Sequence, residues 1–233
     1  LKVRNFVKSN IFSKNLKIIE KKENFGLSKN IISGLNEVFL KYDKAIIIED
    51  DLILSPYFLN YMNDALSIYS DSTEVASISG YMYPIKSEKF SNRYFFLNLV
   101  ESWGWATWKR AWQEMRLDSK ELKEEIIYKN KKKMFSLNNK FDYFQMLENN
   151  ILKKNDSWAV RWYASTFLKD MITLFPNKSF VQNIGMDSSG EHCSPTSLYD
   201  TNVANEYTQL KIQEKVEFSK DRKVLENYFF LNK

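Results

Sequence analysis

Short apolar runs alternate with amphipathic stretches along most of this 233-residue chain. The runs have the length of strands, whereas the stretches between them repeat apolar residues at helical spacing. This order is typical of βαβ units around a parallel sheet, and the shortness of several runs also allows a mixed sheet. The expected fold class is therefore α/β, a mixed central sheet flanked by helices. The predicted strands are 16–20, 45–48, 75–79, 94–100, 172–175 and 180–184.

The helices are predicted from periodicity and from their start signals. The clearest start is Ser55-Pro56, since Ser is a preferred N-cap and Pro is favoured at the first helical position. A polar, helical region is expected at about 112–155, and its basic knot at 129–133 is usually a solvated face. A membrane-surface or acceptor-phosphate role is the alternative for that knot. The other predicted helices are one that follows the turn at 24–26 and ends at Asp43, and one at 221–230.

The strongest local motif is Glu49-Asp50-Asp51, directly after the apolar run 45–48. A continuous apolar run predicts a strand buried on both faces of a sheet, and ligand sites of open α/β sheets lie at the carboxyl ends of strands. Three adjacent carboxylates repel one another, and a divalent cation such as Mg²⁺ or Mn²⁺ would relieve that repulsion. Alternatively, these acids begin a solvated loop and help to cap the next helix.

The tryptophans form two clusters. Aromatic rings can cover the apolar C–H faces of sugars, but spacings of three and four residues also describe a buried helix face. The buried interpretation is favoured for Trp108, Trp112 and Trp162. Trp103 and Trp105 flank Gly104, which permits close approach of a ligand, so these two are better site candidates. The six tryptophans are Trp103, Trp105, Trp108, Trp112, Trp158 and Trp162.

A late loop, 183–193, contains Asp187 and the only histidine of the chain, His192, beside Cys193. A lone histidine is more often structural than a ligand. Its imidazole could nevertheless complete the coordination of a carboxylate-bound cation or bond to a diphosphate. The chain has no second histidine for a zinc hydrolase set and no G-x-S-x-G, Walker A or G-x-G-x-x-G motif.

Composition narrows the class of protein. A hydrophobic fraction of 44% excludes overall disorder, and a net charge of +5 gives a mild attraction for phosphates or an anionic membrane. That charge is too weak to indicate nucleic-acid binding. A single cysteine cannot form an internal disulfide, and no apolar run approaches the roughly 20 residues of a spanning helix. A cytoplasmic protein is expected, with peripheral contact at the inner face of the membrane as an option.

Five ordered motifs stand along the chain: NFGLSK from Asn24, IIIEDDLILSPYFLNYM from Ile46, SWGWATWKRAW from Ser102, DSWAVRW from Asp156 and FPNKSFVQNIGMDSSGEHC from Phe175. Together they resemble a bacterial GT-A-fold glycosyltransferase similar to the eukaryotic N-acetylglucosaminyltransferase I group. The likeness covers about residues 17–195. It implies metal-dependent, inverting transfer of a hexosyl or N-acetylhexosaminyl group from a nucleotide-sugar donor, expected to be of the UDP type, to a glycan or lipid-linked acceptor in polysaccharide biosynthesis.

The resemblance also implies roles for individual residues. Asp51 and His192 would bind the Mn²⁺ or Mg²⁺ ion, while Glu49 and Asp50 would contact the sugar and ribose of the donor. Arg161 could pair with a donor phosphate or form a structural salt bridge, and Asp187 could act in the diphosphate loop or as a base. The nucleotide pocket would include Asn24, Gly26 and Lys29, and the acceptor side would include Trp103, Gly104, Trp105 and Trp158.

Inverting transfer needs a carboxylate that deprotonates the acceptor hydroxyl. The candidates are Asp156 first, then Glu101, then Asp142. Asp156 directly precedes the second tryptophan cluster, where an acceptor could bind, but it could equally be the N-cap of the helix that contains Arg161.

The expected organisation is a catalytic domain over 1–200, with a helical acceptor-side insertion at about 112–155, followed by a helical tail over 201–233. A GT-A chain normally opens with a nucleotide-binding strand and helix upstream of Leu16. Here only the end of such a helix, about 3–9, is expected, so that strand would be missing from this segment. The alternatives are a sugar nucleotidyltransferase, which should carry a basic Gly-rich triphosphate loop that is not visible, and a non-catalytic carbohydrate-binding module.

Overall fold

The computed structural model describes residues 2–10, 15–186, 196–212 and 218–232. The helices in these ranges are α1 (Lys2–Ser9), α2 (Gly26–Val38), α3 (Phe58–Ile68), α4 (Lys109–Trp112), α5 (Ser119–Tyr128), α6 (Lys132–Phe135), α7 (Tyr143–Ile151), α8 (Trp158–Leu168) and α9 (Phe218–Leu231). The strands are β1 (Lys44–Ile47), β2 (Leu52–Leu54), β3 (Val75–Ser79), β4 (Tyr94–Leu97), β5 (Trp105–Trp108), β6 (Ile172–Pro176) and β7 (Val181–Asn183). Short 3₁₀ turns lie at Ser87–Lys89 and Leu137–Asn139.

The main sheet has five strands in the order β1-β5-β3-β6-β4. Only β3 and β6 run parallel, and the other neighbours are antiparallel. Trp105 at the start of β5 lies opposite both Ile47 and Ser79, the last residues of β1 and β3. At one end of its strands, the main sheet therefore brings together the last residues of β1, β3 and β6 and the first residues of β5. This end of the sheet is called the site edge below. A mixed α/β fold is confirmed.

A second, two-stranded sheet pairs β2 with β7. Its first strand follows Asp51 by one position, and Leu52 lies opposite Asn183. β2 was not predicted, because three residues between an acidic triplet and a helix start are too short to stand out. The small sheet lies beside the site edge, since Val181 of β7 is in reach of Gly80 and Gly104.

The prediction that the run 45–48 is buried on both faces is wrong. In the described part of the chain, β1 has one neighbouring strand, β5, and its apolar residues are only half-buried. Ile48 is 45% exposed. By contrast, every residue of β3 and β6 inside the sheet is buried, and so is every residue of β4 at the opposite edge. An apolar run therefore does not distinguish an edge strand from a central one.

The segment 16–20, predicted as a strand, forms none. Its apolar residues Leu16 and Ile19 are 43% and 44% exposed. The segment is instead fixed by charged side chains: Lys17 pairs with Glu37 of α2 at 2.5 Å, and Glu20 pairs with Arg4 and Lys8 of α1. α2 itself ends at Val38, before the predicted end at Asp43.

The predicted helix start at Ser55 is shifted. α3 begins at Phe58 with Tyr57 at its N-cap position. The Ser55 hydroxyl accepts a hydrogen bond from the Tyr57 amide at 3.2 Å and donates one to the carbonyl of Ala204 at 2.5 Å. Ser55 therefore forms a turn before the helix and ties the helix to the C-terminal part of the chain.

Five of the six tryptophans are core residues. Trp105, Trp112, Trp158 and Trp162 pack together, with the rings of Trp105 and Trp158 stacked at 5.3 Å. All four are at most 5% exposed, and Trp108 is 4% exposed. Aromatic pairs of this kind each add about 0.5–1.5 kcal/mol beyond their burial. The cluster therefore joins β5 and α4 to α8, and the buried interpretation of Trp108, Trp112 and Trp162 is confirmed.

The basic knot at 129–133 has ionic partners. Lys129 pairs with Glu125 at 2.8 Å, and Lys131 pairs with Asp170 at 2.5 Å. These contacts favour the solvated-face interpretation. The predicted last helix is confirmed as α9, which contacts β4, so residues 218–231 pack against the main sheet. No helix within the described ranges combines the length and apolar character needed to cross a membrane.

Candidate functional site

Asp51 lies where the two sheets meet at the site edge. It follows the end of β1 and directly precedes β2, and its carbonyl accepts a hydrogen bond from the amide of Ile184 at 2.9 Å. This bond extends the pairing of β2 with β7 by one step. The backbone of Asp51 is therefore held by the same pairing that joins β2 to β7.

The carboxylate of Asp51 is only half satisfied. Its Oδ2 accepts a hydrogen bond from Asn183 Nδ2 at 3.3 Å, whereas its Oδ1 is buried and has no hydrogen-bond partner among the residues that the structure describes. Gly185 packs so closely that a Cβ added there would lie 2.6 Å from Oδ2. A buried carboxylate oxygen without a donor is unfavourable unless a cation or water binds it.

The charges of Asp50 and Asp51 affect the pKa of Glu49. Burial, followed by the charges of Asp51 and Asp50, raises the pKa of Glu49 to about 7. Asp50 is exposed. The repulsion that the sequence predicts within this triplet is therefore present in the fold.

The residues present fit a cation that takes few of its ligands from the protein. In the part of the chain that the structure describes, no three His, Cys, Asp or Glu side chains form a metal cage. Mg²⁺ and Mn²⁺ need no such cage, because they are commonly held by one or two carboxylates and by phosphate oxygens. Asp51 could serve as the protein ligand. His192 and Asp187 lie outside the described residues.

Glu101 lies on the loop that enters β5 at the site edge. The hydroxyl of Tyr83 donates a hydrogen bond to its carboxylate. Burial raises the pKa of Glu101 to about 7, although the bond from Tyr83 acts in the opposite direction. Around Tyr83 lie the rings of Tyr81, Tyr228 and Phe229. The result is a carboxyl group that changes protonation near neutral pH.

Residues 199–201 connect the surroundings of Asp51 to those of Glu101. Gln182 of β7 accepts a hydrogen bond from the amide of Thr201 at 2.6 Å. Two residues earlier, the carbonyl of Tyr199 accepts one from the hydroxyl of Tyr81 at 2.8 Å, and the ring of Tyr199 packs edge-on against Trp103. Contacts of the segment 199–201 therefore link β7, which pairs next to Asp51, with the aromatic residues around Glu101.

The residues predicted for the acceptor side differ in how far they are buried. Trp103 is partly buried and packs edge-on against Tyr81 at 4.7 Å. Gly104 has φ +60°, and a Cβ there would lie 2.7 Å from Val181, so its small size serves a close approach of two chain segments. Trp105 and Trp158 are 0% and 3% exposed with stacked rings, so neither presents a face to a sugar. For Gly104, Trp105 and Trp158 the structure supports a packing role instead.

The predicted nucleotide-pocket segment forms the start of α2. The side chain of Asn24 accepts a hydrogen bond from the amide of Gly26, whose φ of +68° suits glycine. Lys29 lies over the ring of Phe25 at 4.1 Å. Arg161 of α8 donates to Ser28 at 2.5 Å, which brings the Asn24 and Asp156 motifs together.

The side chain of Asp156 is 71% exposed and forms an ion pair with Arg161 at 3.1 Å. This pair agrees with the structural salt bridge that was the alternative to a phosphate-binding role for Arg161. Asp156 is not the N-cap of α8. Ser157 has that role and accepts a hydrogen bond from the amide of Val160. The third candidate base, Asp142, is exposed and caps α7 by accepting a bond from the amide of Gln145 at 3.0 Å. Both acids have structural partners away from Glu101.

Sequence reasoning missed Tyr83 and Tyr199. Both are loop tyrosines without a spacing pattern, so no local signal marks them. Asn183 and Gly185 stand in the late motif, but their proximity to Asp51 depends on the pairing of β2 with β7.

Comparisons of the chain with protein-family models and with curated proteins give no match. The site geometry and the motif resemblance are therefore the basis for a functional proposal.

Proposed function

We propose that this protein is a metal-dependent inverting glycosyltransferase of the GT-A type. It would move a sugar from a nucleoside-diphosphate donor to a hydroxyl of a glycan or lipid-linked acceptor. One observation carries the proposal: two acidic residues in different surroundings lie at the site edge. They are Asp51, whose buried Oδ1 has no hydrogen-bond partner in the described ranges, and Glu101, whose burial raises its pKa to about 7. Two carboxyl groups in different surroundings suit two different roles.

Asp51 has the role of cation ligand. Its buried Oδ1 has no hydrogen-bond partner within the described part of the chain, and the contacts with Asn183 and Gly185 fix the orientation of the carboxylate. A Mn²⁺ or Mg²⁺ ion bound there would neutralise charge on the diphosphate as it leaves the sugar.

Glu101 is favoured over Asp156 and Asp142 as the base, which reverses the order expected from the sequence. A base near neutral pKa is partly ionised at working pH and is still basic enough to accept a proton. The carboxylate of Glu101 takes the proton of the acceptor hydroxyl. That oxygen then bonds to the anomeric carbon as the bond from this carbon to the diphosphate breaks. Tyr83 orients the carboxylate through its hydrogen bond.

The test is thermal unfolding with UDP in the presence and absence of Mn²⁺. At about 100 times the Kd, a ligand adds about 2.7 kcal/mol, or roughly 5–10 °C for a chain of this size. We expect that gain in wild type with Mn²⁺ and its loss in Asp51→Asn. Asp71→Asn, an exposed aspartate elsewhere, is the matched control and should keep the gain.

Equal stabilisation of wild type and Asp51→Asn by UDP and Mn²⁺ would refute the metal role. Release of UDP from a UDP-sugar separates an enzyme from the alternative binding module. A carbohydrate-binding module would bind sugars without releasing UDP.

A further inference from the structure

Trp103 differs from the other five tryptophans in its exposure. The other five are at most 5% exposed, whereas Trp103 is only partly buried. It lies in the loop between Glu101 and β5. A tryptophan that keeps part of its ring at the surface beside the proposed base can contact a substrate.

The two rings that contact Trp103 stand nearly perpendicular to it. Its centroid lies 4.7 Å from that of Tyr81 at an interplanar angle of 76°, and 5.8 Å from that of Tyr199 at 83°. The rings of Trp105 and Trp158, in contrast, are stacked on each other. Within the described ranges, no aromatic ring therefore occupies the position that a ligand stacked on Trp103 would take.

Hydrogen bonds hold the surroundings of this indole in place. The hydroxyl of Tyr81 donates to the carbonyl of Tyr199 at 2.8 Å, which ties the two flanking residues together. The amide of Gly80 donates to the carbonyl of Gly104 at 2.7 Å, which anchors the backbone directly after Trp103. A ring that is oriented before binding loses little conformational freedom when a ligand covers it.

Two ring contacts connect Trp103 to Glu101. Tyr81, which contacts Trp103, also packs edge-on against Tyr83 at 5.3 Å. Tyr83 in turn donates its hydrogen bond to Glu101. Trp103 also follows Glu101 by only two positions in the same loop. A sugar stacked on Trp103 would therefore lie next to the carboxyl group that is proposed as the base.

We infer that Trp103 is the stacking surface for the acceptor, and that the acceptor presents to it a pyranose ring with an apolar C–H face. An aromatic plane covers such a face and leaves the hydroxyl groups at the rim of the sugar free to react. The base acts on the acceptor, so a sugar beside Glu101 is the acceptor sugar and not the donor sugar, whose diphosphate would lie at Asp51. The assignment to the acceptor rests on the proposed function, whereas sugar binding at Trp103 does not.

Quenching of tryptophan fluorescence by iodide tests the inference in the folded protein. Iodide reaches exposed indoles, so the quenchable fluorescence of wild type should come from Trp103 and should be lost in Trp103→Phe. The probes are the methyl β-glycosides of glucose, galactose and N-acetylglucosamine, added with UDP and Mn²⁺ and again without them. We expect at least one of the three to protect Trp103 from iodide. Sorbitol at the same concentration has hydroxyl groups but no ring, and it should not protect.

Affinity for the protecting glycoside, measured by saturation-transfer NMR titration, tests the ring itself. Trp103→Ala should bind that glycoside about tenfold or more weakly than wild type, and Trp103→Phe, which keeps an aromatic plane, should recover part of the loss. Tyr128→Ala removes an aromatic side chain that is 89% exposed on α5 and should bind like wild type. Protection by none of the three glycosides, equal protection by sorbitol, or equal affinity of wild type and Trp103→Ala would overturn the inference.

The two proposals fail separately. Trp103→Ala should keep the Mn²⁺-dependent stabilisation by UDP, and Asp51→Asn should keep the protection of Trp103 by the glycoside without UDP and Mn²⁺. Protection of Trp103 together with no release of UDP from any UDP-sugar would refute the glycosyltransferase proposal and leave the sugar site. Release of UDP from a UDP-sugar together with no protection of Trp103 would refute the acceptor site alone.

Discussion

Glu101 and Asp156 are both acidic residues next to tryptophan motifs, yet the fold gives them opposite surroundings. Asp156 is exposed and pairs with Arg161, whereas Glu101 is held by Tyr83 among aromatic rings. The sequence placed Asp156 first because it precedes the second tryptophan cluster, although Glu101 stands at the same two-residue distance from the first cluster. Burial, which spacing does not encode, is what raises the pKa of Glu101.

Replacing Glu101 tests this difference. The folded-state pKa of about 7 exceeds the ordinary value of 4.5, so the folded protein binds the proton more strongly than the unfolded chain. Stability from this group is therefore full below pH 4.5 and is lost as pH rises toward 7, by up to about 3 kcal/mol. Glu101→Gln should match wild type at pH 4.5 and exceed its free energy of unfolding at pH 8, measured by urea denaturation. Sugar transfer should fall by at least about a hundredfold.

Asp156→Asn is the control for that experiment and should follow the wild-type pH dependence of stability. A constant difference between Glu101→Gln and wild type from pH 4.5 to 8 would contradict the raised pKa of Glu101.

Because Gly185 has no side chain, the carboxylate of Asp51 can pack directly against its backbone. A Cβ at this position would meet Asp51 Oδ2 at 2.6 Å, so Gly185→Ala must displace that side chain. We expect Gly185→Ala to weaken Mn²⁺-dependent UDP binding by about tenfold or more, with a small change in stability. Gly34→Ala, where the added methyl meets nothing within 4 Å, is the matched control and should stabilise α2 by about 1 kcal/mol. Unchanged UDP affinity in Gly185→Ala would show that this contact does not position Asp51.

At the scale of elements, the start of α8 shows which residue of the sequence Asp156-Ser157-Trp158 caps the helix. Ser157, and not Asp156, caps this helix, which carries the buried rings Trp158 and Trp162. Ser157→Ala should lower the free energy of unfolding by about 1 kcal/mol, and Ser157→Asp should restore most of it. Asp156→Ala should change stability by less than about 0.5 kcal/mol, since the carboxylate that it removes is 71% exposed. A larger loss in Asp156→Ala than in Ser157→Ala would contradict this assignment.

Elements that depend on local pattern were predictable from the sequence. The periodicity of α2 and α9 and the apolar runs of β3 and β6 marked these elements correctly, apart from shifted ends. Pairing was not predictable, because it depends on contacts distant in sequence. Three features could not be predicted for this reason: the edge position of β1, the strand at Trp105–Trp108 and the pairing of Leu52 with Asn183. For the same reason the sequence identified Asp51 as an acid after a strand but missed Asn183 as its partner and Tyr83 as the partner of Glu101.

At the scale of the molecule, the C-terminal helix contributes to the surroundings of Glu101. The segment 201–233 was predicted as a tail, but Phe229 is 4% exposed and packs against Tyr83 and Phe141 at 4.9 Å each. Asp221 near the start of α9 accepts a hydrogen bond from the amide of Ser91 at 2.8 Å. The helix is therefore fixed at both ends to the part of the chain that carries the proposed base.

Phe229→Ala tests that coupling. Removing the ring should lower the free energy of unfolding by about 3–5 kcal/mol and leave a cavity against Tyr83. Water in that cavity would solvate the carboxylate of Glu101, so its pKa should fall toward 4.5 and the rising limb of the pH–rate profile should move to lower pH. Phe230→Ala, at the adjacent exposed position, should alter neither stability nor the profile. If Phe229→Ala loses stability while its pH–rate profile stays in place, the packing of α9 stabilises the fold without setting the protonation of Glu101.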